Sequence, residues 1–202
     1  MPRHDAILFD FDGVLLDSEP LHCACWAEVL APLGVNLTWD EYGNRYVGMD
    51  DREMLRIIVA EADRPLDWNT LWAQYPAKKE LFRLRMRQPV FAPGLPELLE
   101  CLHKQYKLAV VSSSARIEIE PPLEGCNLRR YFGAVVGGDD VEQHKPAPGP
   151  YLLAAQRLGV LAPLVVEDSP HGIASGRAAG FAVLEVNSAA EMPGRLLTYL
   201  SG

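Results

Sequence analysis

The chain has 202 residues, 49% hydrophobic and 23% charged, with 19 Lys and Arg against 27 Asp and Glu and a formal net charge of −8. That composition excludes a disordered chain, which is poorer in apolar residues. It also disfavours a non-specific nucleic-acid binder, because neutralising a phosphate backbone takes a basic face.

The first apolar run, Ala6–Phe9, reads as a buried strand. It is too short for a signal peptide and is interrupted by Asp10, and no stretch approaches the ~20 apolar residues of a membrane span. A cytoplasmic protein that does not engage membranes is expected, as a monomer or weak homo-oligomer.

From about Ser18 to Gln88 the apolar residues recur at helical spacing and no strand is evident. Trp26, Val29, Leu30 and Leu33 share one helical face, as do Met54, Leu55, Ile58 and Val59; Leu71, Trp72, Tyr75, Leu81, Phe82 and Met86 continue in a third stretch. Within it, Cys23 and Cys25 point to different sides of a helix and read as reduced packing residues. Together with Cys101 and Cys126, they lack the paired spacing of a disulfide scaffold or zinc ribbon.

Past the breakers Pro89 and Pro93-Gly94, four more apolar runs follow: Leu108–Val111, Ala134–Val136, Leu164–Val166 and Ala182–Val186. All are continuous rather than alternating, as in strands buried on both faces. Helical segments near Leu95–His103, Tyr151–Leu158 and Ile173–Ala179 alternate with them, and this rhythm predicts an α/β fold with a parallel sheet. Residues 1–17 and 89–202 form the expected core, and residues 18–88 a helical insert.

Ligands of such sheets bind at the carboxyl ends of the strands. There the first strand ends in Asp10-Phe11-Asp12-Gly13, the second in Ser112-Ser113-Ser114 and the fourth in Glu167-Asp168-Ser169, while Lys145-Pro146 follows the third by a loop. Clustered carboxylates resist ionising together, so Asp10, Asp12 and Asp168 call for a cation. Hard oxygen ligands with room for water and phosphate suit Mg²⁺ better than zinc. Lys145 would offset the charge of a phosphoryl group, and Ser112 would donate a hydrogen bond to it.

These residues carry a resemblance. Phe9-Asp10-Phe11-Asp12-Gly13-Val14-Leu15-Leu16-Asp17-Ser18-Glu19 resembles the first motif of the haloacid dehalogenase superfamily, and Val110–Ser114 the second. Lys145-Pro146-Ala147-Pro148 resembles the third, and Val166–Ile173 the fourth. The resemblance implies a Rossmann-like core with a helical cap inserted after the first motif, in the group of phosphosugar phosphatases and β-phosphoglucomutase. It implies Asp10 as a nucleophile that becomes phosphorylated and Asp12 as general acid and base. It further implies a Mg²⁺ held by Asp10, the Asp12 carbonyl and Asp168, with Glu167 a direct or supporting contributor, and phosphate contacts from Phe11, Ser112, Ser113 and Lys145. In the insert, His22, Arg52 and Lys79 are candidates for gripping the rest of the substrate, although each also reads as an ordinary helix residue. His144 and His171 receive no role.

Two features depart from the pattern. Pro121-Pro122 falls where relatives continue a helix, and a mid-helix proline costs about 3 kcal/mol, so a break is expected there. Pro148-Gly149-Pro150 lacks the usual acidic residue.

The expected activity is hydrolysis of a small phosphorylated metabolite, a sugar or polyol phosphate. A dehalogenase or phosphonate hydrolase is disfavoured, because neither keeps an acid at the position of Asp12. A phosphosugar mutase is the alternative: its pattern places Arg three residues after the cap glycine, and counting from Gly48 that position is Asp51, with Arg52 one residue later. A non-enzymatic phosphate-binding protein would have little reason to retain all four motifs.

Overall fold

The computed structural model describes residues 4–47, 49, 51–87 and 89–202. Gly48, from which the mutase pattern is counted, and Gln88, the expected end of the insert, lie outside the described residues.

In chain order, β1 (Ala6–Phe9) is followed by α1 (Glu19–Leu30), α2 (Trp39–Arg45), α3 (Asp51–Glu61), α4 (Trp68–Trp72) and α5 (Tyr75–Arg85). Then come α6 (Leu95–Leu102), β2 (Lys107–Val111), α7 (Arg116–Gly125), β3 (Ala134–Val136), α8 (Gly149–Leu158), β4 (Leu164–Glu167), α9 (Pro170–Ala178), β5 (Ala182–Glu185) and α10 (Met192–Ser201). The chain divides into two compact units, one formed by Met1–Asp17 and Arg87–Gly202 and the other by Ser18–Met86.

The first unit is an α/β fold with a five-stranded parallel sheet in the order β3-β2-β1-β4-β5. Strands β1 to β4 are short and almost wholly buried because both faces are covered, whereas β5, expected to be buried on both faces, lies at the edge and is only partly buried. Ala6 and Leu8 of β1, Ala109 and Val111 of β2 and Ala134 and Val136 of β3 share one buried cluster with Tyr151, Ala154, Ala155 and Leu158 of α8. The alternate residues Ile7, Phe9, Leu108, Val110 and Val135 are buried as well. In α6, Leu95, Leu98, Leu99 and Leu102 follow helical spacing and all four are buried, each contributing roughly 1.5–3 kcal/mol over an exposed position.

The strand order reverses at β1, which has β2 on one side and β4 on the other. A crevice outside the carboxyl ends of these two neighbours is where such sheets bind ligands. The residues just past β1 and β4 therefore matter most.

The helical unit packs Trp26, Leu30, Tyr42, Tyr46, Met54, Leu55 and Leu71 in one core, with Val29, Leu33, Ile58, Val59, Trp72 and Tyr75 at its margin. Two of its short helices start from side-chain caps: Thr38 accepts from the Glu41 amide at 3.2 Å, and Asp67 from the Thr70 amide at 2.8 Å. All four cysteines are free, Cys23 and Cys25 buried and Cys101 and Cys126 exposed. Among the described residues no helix is long and apolar enough to cross a membrane.

The break expected at Pro121-Pro122 does not occur, since α7 runs through both prolines. The proline φ is compatible with a helix, and what is lost is two backbone donors. Burial of Ile119, Pro122 and Leu123 offsets that cost, and the Leu128 amide closes the helix end on the Leu123 carbonyl at 2.7 Å.

Candidate active site

Asp10 directly follows β1, and its amide donates to the Val166 carbonyl of β4 at 3.0 Å. The chain then turns tightly: the Phe11 carbonyl accepts from the amides of Leu15 and Leu16 at 3.0 and 3.3 Å, and the Gly13 amide donates to Leu16 at 2.7 Å. Gly13 has φ +80°, and a Cβ there would collide with the Asp168 carboxylate. Glycine thus serves twice, by its left-handed backbone and by giving Asp168 room.

At the end of β2, Ser112 Oγ accepts from the Ser114 amide at 3.0 Å, which leaves the hydroxyl its own proton to donate. Ser114 Oγ lies 3.2 Å from Asp12 Oδ2, and the Ser114 carbonyl accepts from the Gly138 amide at 2.8 Å. Ser113, between them, is exposed.

Lys145 has a side chain only 4% exposed. Its ammonium donates to Asp10 Oδ1 at 2.5 Å, Glu167 Oε1 at 2.6 Å and the Val111 carbonyl at 3.0 Å, using all three protons. Glu167 is fully buried. Its Oε1 also accepts from the Tyr151 hydroxyl at 2.8 Å, and its Oε2 from the amides of Asp168 and Ser169 at 3.1 Å and from Ser169 Oγ at 3.0 Å. A Cβ on Gly172 would strike this carboxylate. Ser169 caps α9 by accepting from the Gly172 amide at 3.1 Å, with Pro170 at the first turn.

Asp10, Glu167 and Asp168 each offer a carboxylate oxygen, and the three atoms lie within 4.8 Å of one another. Burial pushes Asp10 up, and Glu167 and Asp168 push the same way while Lys145 opposes them. Asp168 is pushed up to about 7, first by burial and then by Glu167. Burial would lower Lys145, but Asp10 and Glu167 outweigh it and keep the ammonium protonated. A single ammonium set against this cluster leaves negative charge that a cation would relieve.

The donor set fits Mg²⁺. The candidate ligands are hard carboxylate oxygens, and Asp168 Oδ1 is buried with no hydrogen-bond partner among the described residues, a cost that coordination would remove. Asp10 and Asp168 have oxygens to offer, whereas Glu167 is already held by five donors.

Of the residues expected from sequence, Asp10, Lys145, Glu167 and Asp168 are thus brought together, Asp12 adjoins Ser114, and Phe11, Ser112 and Ser113 occupy the neighbouring strand ends. His22, Arg52 and Lys79 belong to the helical unit. There His22 stacks on Phe82 with centroids 4.1 Å apart, while the exposed Arg52 and Lys79 lie over the rings of Trp72 and Tyr75 at 4.9 and 5.7 Å. Tyr151, Ser114 and Lys78 were not singled out in the sequence. Lys78 is 3% exposed, with its ammonium 2.8 Å from His22 Nδ1 and 3.0 Å from Asp51 Oδ2. Its signal was its place on one helical face with Tyr75 and Phe82.

A parallel sheet with a buried lysine and converging acids past its central strands defines a Rossmann-like α/β core with a candidate hydrolytic site at the strand ends. The sequence profile of the haloacid dehalogenase-like hydrolases matches residues 7–186, and the chain belongs to this family. It is 34% identical over 187 residues to fructose-1-phosphate phosphatase YqaB of Escherichia coli (strain K12), covering 91% of this chain and 97% of that one. It is 35% identical over 181 residues to a phosphorylated carbohydrates phosphatase of Thermotoga maritima, covering 87% and 82%. Among solved structures, a β-phosphoglucomutase-like protein of Thermotoga maritima superposes with a TM-score of 0.74 at 28% identity, over 96% of this chain and 99% of that one.

Proposed function

We propose that the protein is a Mg²⁺-dependent phosphomonoesterase acting on a small sugar or polyol phosphate. The observation that carries this reading is Lys145 Nζ at 2.5 Å from Asp10 Oδ1, within a carboxylate cluster that wants a cation. An ion-paired carboxylate is a nucleophile held in place, and the charge of the ammonium offsets that of a phosphoryl group once substrate arrives.

In the proposed reaction an Asp10 oxygen attacks phosphorus and the ester oxygen leaves with a proton from Asp12. The aspartyl phosphate then reacts with water, whose proton Asp12 takes, and phosphate departs as Asp10 is restored. Ser112 Oγ and backbone amides at Phe11 and Ser113 hold phosphoryl oxygens, and Lys145 balances their charge. Bound between Asp10, the Asp12 carbonyl and Asp168, Mg²⁺ would supply Lewis-acid neutralisation of the phosphoryl group. The helical unit, through His22, Arg52 and Lys79, is proposed to select the leaving group.

Hydrolysis is favoured over mutase chemistry by the role of Asp51. Its carboxylate accepts from Trp26 Nε1 at 2.7 Å and from Lys78 at 3.0 Å, so at the position where the mutase pattern has a cation this chain has an acid committed to its own core. The test is a screen of the purified protein with Mg²⁺ against phosphorylated sugars and polyols, reading released phosphate, with Asp10→Asn as the inactive control. Glucose 6-phosphate forming from β-glucose 1-phosphate faster than free phosphate would instead establish the mutase.

A further inference from the structure

We infer that Tyr151 is a positioning residue that sets where the Lys145 ammonium points. Tyr151 is completely buried in the first turn of α8 and touches both members of the Lys145–Glu167 pair. Its hydroxyl donates to Glu167 Oε1 at 2.8 Å, and its ring lies beneath Lys145 Nζ with the centroid 5.0 Å away. The cluster formed by Ala6, Leu8, Val111 and Val165 fixes the ring.

The consequence follows from a competition for one oxygen. Glu167 Oε1 receives both Tyr151 and Lys145, while Lys145 divides its protons among Glu167, Asp10 and the Val111 carbonyl. A carboxylate oxygen that already accepts from a phenol attracts an ammonium less strongly, so Tyr151 weakens the pull of Glu167 on Lys145 and leaves the ammonium shared with Asp10. Without the phenol proton, Lys145 would settle toward Glu167 and Asp10 would lose its anchor. The ring has a separate task, giving the ammonium an apolar but electron-rich bed. A phenylalanine would fulfil only this second task.

The part played in turnover rests on the phosphatase reading, whereas the geometry of the pair does not. Tyr151→Phe keeps the volume and removes only the hydroxyl, so the fold is expected to persist. With the best phosphate ester from the screen, kcat should fall about 10-fold, on the scale of a small misplacement of a reacting group, while KM stays within about 2-fold because the surface that meets the rest of the substrate is unchanged. Calorimetric titration with Mg²⁺ alone should show affinity weakened at least about 3-fold, since a supporting contact of the carboxylate cluster has been removed. Tyr151→Leu removes the ring too and should lower kcat further. If both variants fold and keep the wild-type kcat and Mg²⁺ affinity with only a lower Tm, Tyr151 is core packing and the inference is overturned. If the wild-type protein releases no phosphate from any ester, the phosphatase reading fails, and the Mg²⁺ titration of the variants still decides the role of Tyr151.

Discussion

Lys78 Nζ stands 2.8 Å from Nδ1 of His22, so the histidine ring meets a buried ammonium where a proton would otherwise be added. Burial first, and Lys78 next, lower His22 from 6.5 to about 4. The folded ring is therefore neutral where an unfolded one begins to take up a proton. As pH falls from about 6.5 toward 4 the unfolded state gains that proton and the native state does not, so stability is lost across this window and levels off below it. The shift corresponds to on the order of 3 kcal/mol. Urea unfolding at pH 7 and pH 5 in wild type and His22→Gln checks it. The variant, which cannot titrate there, should show a smaller pH dependence, and an equal slope would mean that the folded histidine is charged.

Asp12 and Ser114 are 3.2 Å apart, which holds the proposed acid beside the strand ends. Asp12→Ala should cut turnover of an alkyl phosphate by about 10²–10⁴-fold. An aryl phosphate, whose leaving group needs no proton, should suffer less in the first step. Single-turnover release of the two alcohols makes the comparison, and equal losses would remove Asp12 from the acid role.

Because Asp168 is pushed up to about 7 by burial and then by Glu167, a metal bound there would compete with a proton below that pH. Apparent Mg²⁺ affinity should weaken roughly tenfold from pH 8 to pH 6. In metal-free protein the same group has the opposite sign from His22, and stability falls as pH rises from about 4 to about 7. Asp168→Asn should raise the Mg²⁺ requirement and flatten its pH dependence, and Ca²⁺, with its larger and looser shell, should inhibit the wild type. Titrations followed by phosphate release and by calorimetry read both effects. Activity untouched by a chelator would dismiss the metal.

Arg52 and Lys79 extend over the rings of Trp72 and Tyr75, which are themselves stacked 4.4 Å apart. If they choose the substrate, alanine at either position lowers kcat/KM for the preferred sugar phosphate far more than for a small aryl phosphate. Proportional losses for both substrates, accompanied by a lower Tm, would assign them to holding the aromatic stack.

The sheet was legible because a strand buried on both faces leaves an uninterrupted apolar run, and Ala6–Phe9 and Ala134–Val136 were read to the residue. The acids and Lys145 were legible because they interrupt or follow such runs, where an acid has no packing purpose. What escaped was decided by partners remote in sequence. Lys79 is the exposed neighbour of the lysine that is buried, and Asp51 and His22, with the rings of Trp26 and Phe82, make Lys78 acceptable in a core. Tyr151 reads as an ordinary apolar helix residue until Glu167 is seen at its hydroxyl. The short α2 was missed because it owes its start to the Thr38 cap rather than to a long periodic face. Local cost alone predicts a break at the prolines of α7, and the burial of that helix outweighs it.

The central strand of the sheet is made first and must wait. Leu8 pairs with Ala109 of β2 and Val165 of β4, both synthesised after the entire helical unit. A chain interrupted between the helical unit and β2 thus contains a greasy strand with no lateral neighbour, while the helical unit has all its sequence in one piece. The order of assembly on the ribosome is then imposed by connectivity: helices can collapse locally, and the acids meet only after a long-range closure that makes this the slow, aggregation-exposed stage of folding.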